Sequence, residues 1–220
     1  MASLPLLLGH RGLRGSSLAG ENTLAAFDLA LQQGCDGFEF DVRVTEDGVG
    51  VVCHDGEFSG LAIASTSADR VNELPRLEDV LSRYAGRAFL NIELKVPGIA
   101  QSLIASLASS PPQKGFVISS FLPEVLAEVI SMRASAPVGL ICEREKELQR
   151  WPDLPVQYVI PHHSLVTREL TDHVHAAGKK LLVWTVNREA AMLRFADWKV
   201  DGIISDKPEL LSDTLRYRFR

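Results

Sequence analysis

No run in this 220-residue chain comes near the about 20 consecutive apolar residues that a membrane-spanning helix needs. The apolar opening, Leu4–Leu8 within MASLPLLLGHRG, is short and has no basic region before it, so it does not read as a secretory leader. The chain is expected to begin its mature form here, inside the cell. Cysteine is scarce: Cys35, Cys53 and Cys142 lie far apart and form no CxxC. An odd, scattered set argues against a disulfide framework and predicts reduced thiols in a cytoplasmic protein. Cys53 precedes His54, yet a free cysteine is mostly a small buried hydrophobe, and neighbours on a strand face opposite ways. Positive charge is not in excess either. Lys and Arg number 23 against 28 Asp and Glu, a net charge of −5, which argues against a general nucleic-acid or anionic-membrane surface. A small basic pocket for one phosphate stays compatible with it. Internal repeats, low-complexity segments and linkers are lacking, so residues 1–220 read as one domain.

What is present is an alternation of short apolar runs with helical patterns. Strands are expected at 5–9, 38–44, 49–53, 89–95, 116–120, 138–141, 156–160, 180–186 and 202–205. Helices are expected at 23–33, 77–84, 99–109, 123–134, 168–177, 188–197 and 208–217. Asn22 and Asn187 suit helix N-caps, Pro123 and Pro208 first turns, and Gly34 and Gly178 helix stops. Strand–helix repetition predicts a parallel sheet with helices outside. Nine strands are one too many for an eightfold barrel. Asp47-Gly48 is a tight-turn signal, so 38–44 and 49–53 read as an antiparallel hairpin. Eight parallel strands then remain, predicting an irregular (β/α)₈ barrel with its site at the strands' C-terminal ends. A doubly wound open sheet is the alternative.

Polar residues interrupt strands that should be buried. In FEFDV, Glu39 and Asp41 leave one face while Phe38, Phe40 and Val42 take the other. In LNIELKV, Asn91, Glu93 and Lys95 share a face opposite Leu90, Ile92 and Leu94. Three carboxylates facing one space repel strongly in a low dielectric, so protons or a cation must neutralise them. Oxygen ligands suit a hard divalent cation, Mg²⁺ or Ca²⁺. Lys95 is placed for a phosphate oxygen, or else to pair with Glu93 or Asp41 in a buried ion cluster. His10 ends the first strand beside Arg11, and His54 ends the hairpin arm before Asp55. Histidine is the natural proton carrier near neutral pH. His162 and His163 follow another strand end and could reach the same rim. His173 and His175 lie two apart on a helix and face different ways, as structural or surface residues. The charge run EREKELQR at 143–150 reads as a solvated helix face.

The stretches GHRG…ENTLAAF, GFEFDVRVTEDGVGVVCHD, LNIELK, ISSF, LLVWTVN and VDGIISDKPELL occur in the order of the glycerophosphodiester phosphodiesterase family, which this chain resembles over nearly its whole length. The resemblance implies an irregular (β/α)₈ barrel that uses a divalent cation, Mg²⁺ or Ca²⁺ with Mn²⁺ as a further option. It implies hydrolysis of a small-molecule glycerophosphodiester to sn-glycerol 3-phosphate and an alcohol. Glu39, Asp41 and Glu93 would be the metal carboxylates, His10 and His54 the acid–base pair, and Arg11 and Lys95 the phosphate contacts. Trp184 would line the glycerol side, or belong to the core with Leu182 and Val186. Phe121, which follows Ser119-Ser120, is read from its position either as an apolar wall of the pocket or as plain packing. Glu21 would support the site, or sit on the surface beside a helix cap. The attacking oxygen would be a glycerol hydroxyl or water; two symmetric histidines leave the order open, and His10 as base with His54 as acid is the one expected here. One departure stands out: HDGEFSGLAIASTSADRVNELPRLEDVL lacks the family's Arg-Thr-rich element and is short. That leaves the preferred alcohol open, and the apolar Leu61–Ile63 raises a lysophospholipid or another phosphodiester as alternatives. A non-catalytic phosphate-binding barrel is the reading from another class.

Overall fold

The computed structural model describes residues 4–15, 17–132 and 135–218. Strand β1 (Leu6–His10) leads into helix α1 (Leu24–Gln32), then β2 (Gly37–Val44) and β3 (Gly50–Val52). A two-stranded ribbon, β4 (Glu57–Phe58) and β5 (Leu61–Ala62), precedes α2 (Leu77–Tyr84). Strand–helix pairs follow: β6 (Phe89–Leu94), α3 (Ala100–Ser109), β7 (Phe116–Ser120), α4 (Pro123–Ser131), β8 (Val138–Cys142) and the short α5 (Glu145–Leu148). The chain closes with β9 (Tyr158–Pro161), α6 (Arg168–Ala176), β10 (Lys180–Val183), α7 (Glu189–Asp197), β11 (Gly202–Ser205) and α8 (Pro208–Arg218).

The main sheet runs β1-β11-β10-β9-β8-β7-β6-β2-β3, and β1 also pairs with β2. Only β3 is antiparallel, hairpinned onto β2 with Val42 opposite Val52. The other strands are parallel, and the β1–β2 pairing closes them into the eight-stranded barrel expected from the sequence. Among the described residues no helix is long and apolar enough to cross a membrane.

Period-two alternation sorts the side chains. Phe38, Phe40, Val42, Leu90, Ile92 and Leu94 face out and are buried under the helices. Leu8, Phe89, Val117, Ile141, Tyr158, Ile160, Leu182 and Ile204 fill the barrel interior. The outer packing is tightest around β2. Phe27 of α1 stacks on Phe38 with centroids 4.1 Å apart, and Tyr84 of α2 meets Phe38 edge-on at 4.9 Å. This aromatic cluster holds the outside of the strand whose inner face carries Glu39 and Asp41.

Several local expectations change. Asn22 does not cap α1. Thr23 does, accepting from the Ala26 N–H, because Asn22 sits in the left-handed region (φ +58°) with its amide turned inward. Asn187 does not cap α7, which starts at Glu189 after Arg188; its amide is taken by Asp206. Strand β10 ends at Val183, and although Leu182 and Trp184 point inward, Val186 beyond the strand joins the outer core. The expected helix 123–134 ends at Ser131, and its last two positions lie outside the described residues. Pro123 and Pro208 do open their helices, and Gly34 and Gly178 follow helix ends with positive φ.

Phe38→Ala removes the stacking partner of Phe27 and leaves a cavity in a packed cluster. Urea unfolding should show a loss of about 3–5 kcal/mol.

Candidate active site

The barrel opens at the C-terminal ends of its strands into a cavity of ≈ 370 Å³, lined by His10, Arg11, Glu39, His54, Asn91, Glu93, Lys95, Phe121, Trp184 and Glu143 among others. Strand register builds it. Asp41 lies opposite Glu93 and Glu39 opposite Asn91 across β2 and β6. His10 pairs with Glu39 across β1 and β2. The inner-face residues that the sequence marked on separate strands therefore form one layer at the barrel's mouth.

Asp41, 1% exposed, is the centre of this layer. Lys95 Nζ lies 3.3 Å from its Oδ1, and Arg11 Nε lies 3.2 Å from its Oδ2. Asn22 Nδ2 donates to the same Oδ2 at 2.7 Å. Burial pushes the Asp41 carboxyl up, but Lys95, Arg11 and Asn22 together hold it below its usual range. Lys95 also bonds Glu93 Oε1 at 2.6 Å, so the buried ion cluster raised as an alternative reading of Lys95 is present.

Carboxyls outnumber cations in this cluster. Glu39, Asp41 and Glu93 present one oxygen each within 4.8 Å of one another, against two inner cations. Burial, and then the Asp41 charge, push the Glu93 carboxyl up to about 7. Burial and the charges of Asp41 and Glu93 push Glu39 well above the carboxylate range. Glu39 Oε2 accepts the Arg11 N–H at 3.0 Å, while its buried Oε1 has no partner. Three clustered carboxyls, two of them held back from ionising by burial and mutual repulsion and one with an unpartnered oxygen, fit a hard divalent cation whose charge would favour their ionised forms.

Arg11 is strained into place. Its φ is +54°, Asn22 has φ +58°, and the Asn22 N–H donates to the Arg11 carbonyl at 3.0 Å. Both residues spend that unfavourable conformation on contacts to Asp41, as strain retained at a functional site. Gly12 permits the turn: its φ is +78°, and a Cβ there would lie 2.6 Å from the Ala26 carbonyl carbon. Glu21 receives Arg11 at 2.6 Å and Arg14 at 2.7 Å, so it braces the guanidinium from outside the cavity.

The two histidines differ in setting. His10 is 8% exposed, and its Nδ1 lies 2.6 Å from Asp206 Oδ1. Asp206 Oδ2 in turn accepts from Asn187 Nδ2 at 2.6 Å, and the Asp206 backbone N–H donates to Asn187 Oδ1 at 2.9 Å. Burial pushes the Asp206 carboxyl up, but the His10 and Asn187 bonds hold it low. His54 stands across the cavity on the loop after β3, its side chain 37% exposed, with Nδ1 2.8 Å from Asp55 Oδ1. Trp184 donates Nε1–H to the Ile160 carbonyl at 3.0 Å and meets Phe121 edge-on at 5.7 Å, forming the apolar wall.

Other expected residues fall elsewhere. His162 packs edge-on against Trp184 at 5.2 Å, behind the wall, and His163 packs on His162. His175 bonds Asp201 at 2.8 Å, and His173 meets Trp151 edge-on. Cys53 is half-buried, with its thiol pushed up by burial, and Cys35 and Cys142 are buried and free. Leu61–Ile63 forms no apolar face on the cavity, since Ile63 is buried at 1% exposure. Asp206, Asn187 and Asn22 were assigned no place here from sequence. A signal for Asp206 existed: it stands two residues beyond the inward Ile204, just past the end of β11, the strand beside β1.

The sequence model of the Glycerophosphoryl diester phosphodiesterase family matches residues 10–88 and 57–210. A glycerophosphodiester phosphodiesterase of Caldanaerobacter subterraneus subsp. tengcongensis is 30% identical over 96% of this chain and 98% of its own. Among solved structures, a glycerophosphodiester phosphodiesterase of Parabacteroides distasonis superposes with a TM-score of 0.85 at 24% identity, over 99% of this chain and 100% of that one. An Oleispira antarctica phosphodiesterase, solved with the product sn-glycerol-3-phosphate, superposes with a TM-score of 0.83 at 26% identity, over 97% of each chain. Family match, full-length relative and shared barrel agree, and the chain belongs to the glycerophosphoryl diester phosphodiesterase family.

Proposed function

We propose that the protein is a divalent-cation-dependent phosphodiesterase that hydrolyses glycerophosphodiesters to sn-glycerol 3-phosphate and an alcohol, with His10 and His54 as its acid–base pair. The observation that carries this reading is one cavity lined by two histidines together with Glu39, Glu93, Arg11 and Lys95, the two glutamates clustering with the buried Asp41. The relatives support the activity, and the Oleispira antarctica complex supports the product.

Glu39, Asp41 and Glu93 would hold the cation, Mg²⁺ or Ca²⁺. When bound, it supplies charge stabilisation to a phosphoryl oxygen. Arg11 and Lys95 add donors to the same phosphate as its charge grows in the transition state. Asp206 is acceptor-only when ionised, so neutral His10 carries its proton on Nδ1 and leaves Nε2 free to accept. That is the tautomer of a base, and the Asp206 carboxylate stabilises the imidazolium formed when Nε2 takes a proton. His10 therefore deprotonates the attacking oxygen, a glycerol hydroxyl or water. His54 gives its Nε2 proton to the departing alkoxide. Trp184 and Phe121 offer the apolar wall against which the glycerol carbons pack.

Release of glycerol 3-phosphate from glycerophosphoethanolamine, followed by a coupled assay, tests the pair. His10→Ala and His54→Ala should each lower kcat by about 100- to 10,000-fold. Full activity in both variants sinks the mechanism. Asp206→Asn should lower kcat with little change in KM, because it alters the His10 tautomer and not the phosphate contacts.

A second test concerns the cation. A carboxyl whose folded pKa is raised stabilises the fold below its unfolded pKa, and that contribution is lost as pH rises through the folded value. For Glu93 the window runs from the ordinary carboxylate range up to about 7, and Glu39 has the same sign. The cation-free protein should therefore lose Tm between about pH 5 and pH 8, and Mg²⁺ or Ca²⁺ should restore more Tm at about pH 8 than at pH 5. Glu93→Gln should flatten that pH dependence. An equal cation effect at both pH values in the unmutated protein counts against the three-carboxylate site.

A further inference from the structure

The loop that carries His54 is gripped by an arginine with no anionic partner. Arg43 follows Asp41 by two residues on β2, so it continues the inner face towards the strand's C-terminal end. The hairpin pairs Arg43 with Val51, which brings the His54 loop back over it. The Arg43 guanidinium donates twice to the His54 backbone carbonyl, from Nε at 2.9 Å and from Nη2 at 2.7 Å. Among the described residues no carboxylate lies within ion-pair distance of Arg43, so its fork is committed to a neutral carbonyl.

The imidazole itself is loosely tied. Its one side-chain partner, Asp55, is 80% exposed, and a water-screened pair of that kind constrains little. The ring inherits its position from its backbone. Two bonds fix that backbone near the cavity: the Cys53 N–H to the Asp41 carbonyl at 3.0 Å, and the Arg43 grip one residue later. A general acid must bring its N–H to about 3 Å from the leaving oxygen, and a displacement of about 1 Å costs on the order of 100-fold in rate.

We propose that Arg43 is the positioning residue for His54: its forked bond to the His54 carbonyl sets where the imidazole meets the departing alcohol. The proposal rests on the reading of His54 as the general acid. It separates Arg43 from Arg11 and Lys95, which serve the phosphate and not the leaving group.

Leaving-group dependence tests it. An alkyl alcohol departs as a strongly basic alkoxide and needs the proton, whereas p-nitrophenolate is a weak base and leaves without one. Arg43→Met, Arg43→Lys and His54→Ala are compared on glycerophosphoethanolamine and on the p-nitrophenyl diester of glycerol 3-phosphate. Arg43→Met should lower kcat on the alkyl diester by about 100-fold, with KM unchanged, and on the aryl diester by less than about 3-fold. Arg43→Lys, which keeps a donor, should recover part of the loss. In the His54→Ala background, Arg43→Met should add no further loss. Equal losses on both diesters, additive losses with His54→Ala, or no loss on either diester overturn the proposal. Full alkyl-diester activity in His54→Ala overturns the acid assignment itself and the proposal with it, and that result is read from His54→Ala alone. Thermal melts of Arg43→Lys and Arg43→Met separate a lost fold from a displaced histidine.

Discussion

The burial of one carboxylate organises the mouth of the barrel. Asp41 is nearly inaccessible, yet it stays charged because Lys95, Arg11 and Asn22 converge on it. Each of those partners is itself placed by the contact. Arg11 and Asn22 hold left-handed conformations that the Asp41 contacts offset. Lys95, beyond the end of β6, is drawn inward across Glu93. Removing Asp41 takes from Arg11 and Lys95 the buried carboxylate that both contact and leaves them Glu21 and Glu93, and breaking such a buried pair costs about 3–5 kcal/mol. The two inner cations and the carboxylate layer are therefore one electrostatic unit, and neither half has its geometry without the other.

The same unit explains why the layer keeps unspent negative charge. Two inner cations face three inner carboxyls, and the cations are concentrated on Asp41 and Glu93. Glu39 is left with only the Arg11 N–H as a close donor, and its Oε1 has none. A fully compensated cluster would be a structural ion network. One that holds a buried, unpartnered carboxyl oxygen has capacity for a further positive charge. Both readings that these residues support in the sequence are therefore present together: Lys95 does pair with Glu93 and Asp41, and a buried Glu39 oxygen is still left without a partner.

The sequence revealed residues whose meaning is local. Alternation in FEFD and NIELK gives the face of each carboxylate directly, because a strand has a period of two and a buried face tolerates few charges. The DG turn gave the antiparallel arm, and with it the count of eight barrel strands. What stayed hidden depends on pairing across the barrel. Asn22 and Asn187 both stand just before helices and look like caps, but each is diverted by a carboxylate, on β2 and after β11 respectively. Asp206 and His10 are 196 residues apart and meet only because β1 and β11 are neighbours at the seam where the barrel closes. No local pattern records that adjacency. Strand ends were also misjudged where inward-facing residues continue past the ladder, as at Trp184.

The asymmetry between the two histidines follows from where each sits in this architecture. His10 belongs to the closed barrel, between β11 and β2, where neighbouring strands supply a held carboxylate on one side and the acidic layer on the other. Its proton inventory is fixed by the protein: Asp206 determines which nitrogen is protonated, and burial keeps water from competing. His54 belongs to the hairpin excursion, outside the ladder of parallel strands, with its ring open to solvent and its partner more open still. It exchanges protons with water readily, and it stands where an alcohol would leave for bulk solvent. A base benefits from a fixed tautomer, and an acid that must be recharged each turnover benefits from access to water. Under the acid–base roles proposed for them, the barrel strand suits the end that takes the first proton and the excursion the end that gives the last.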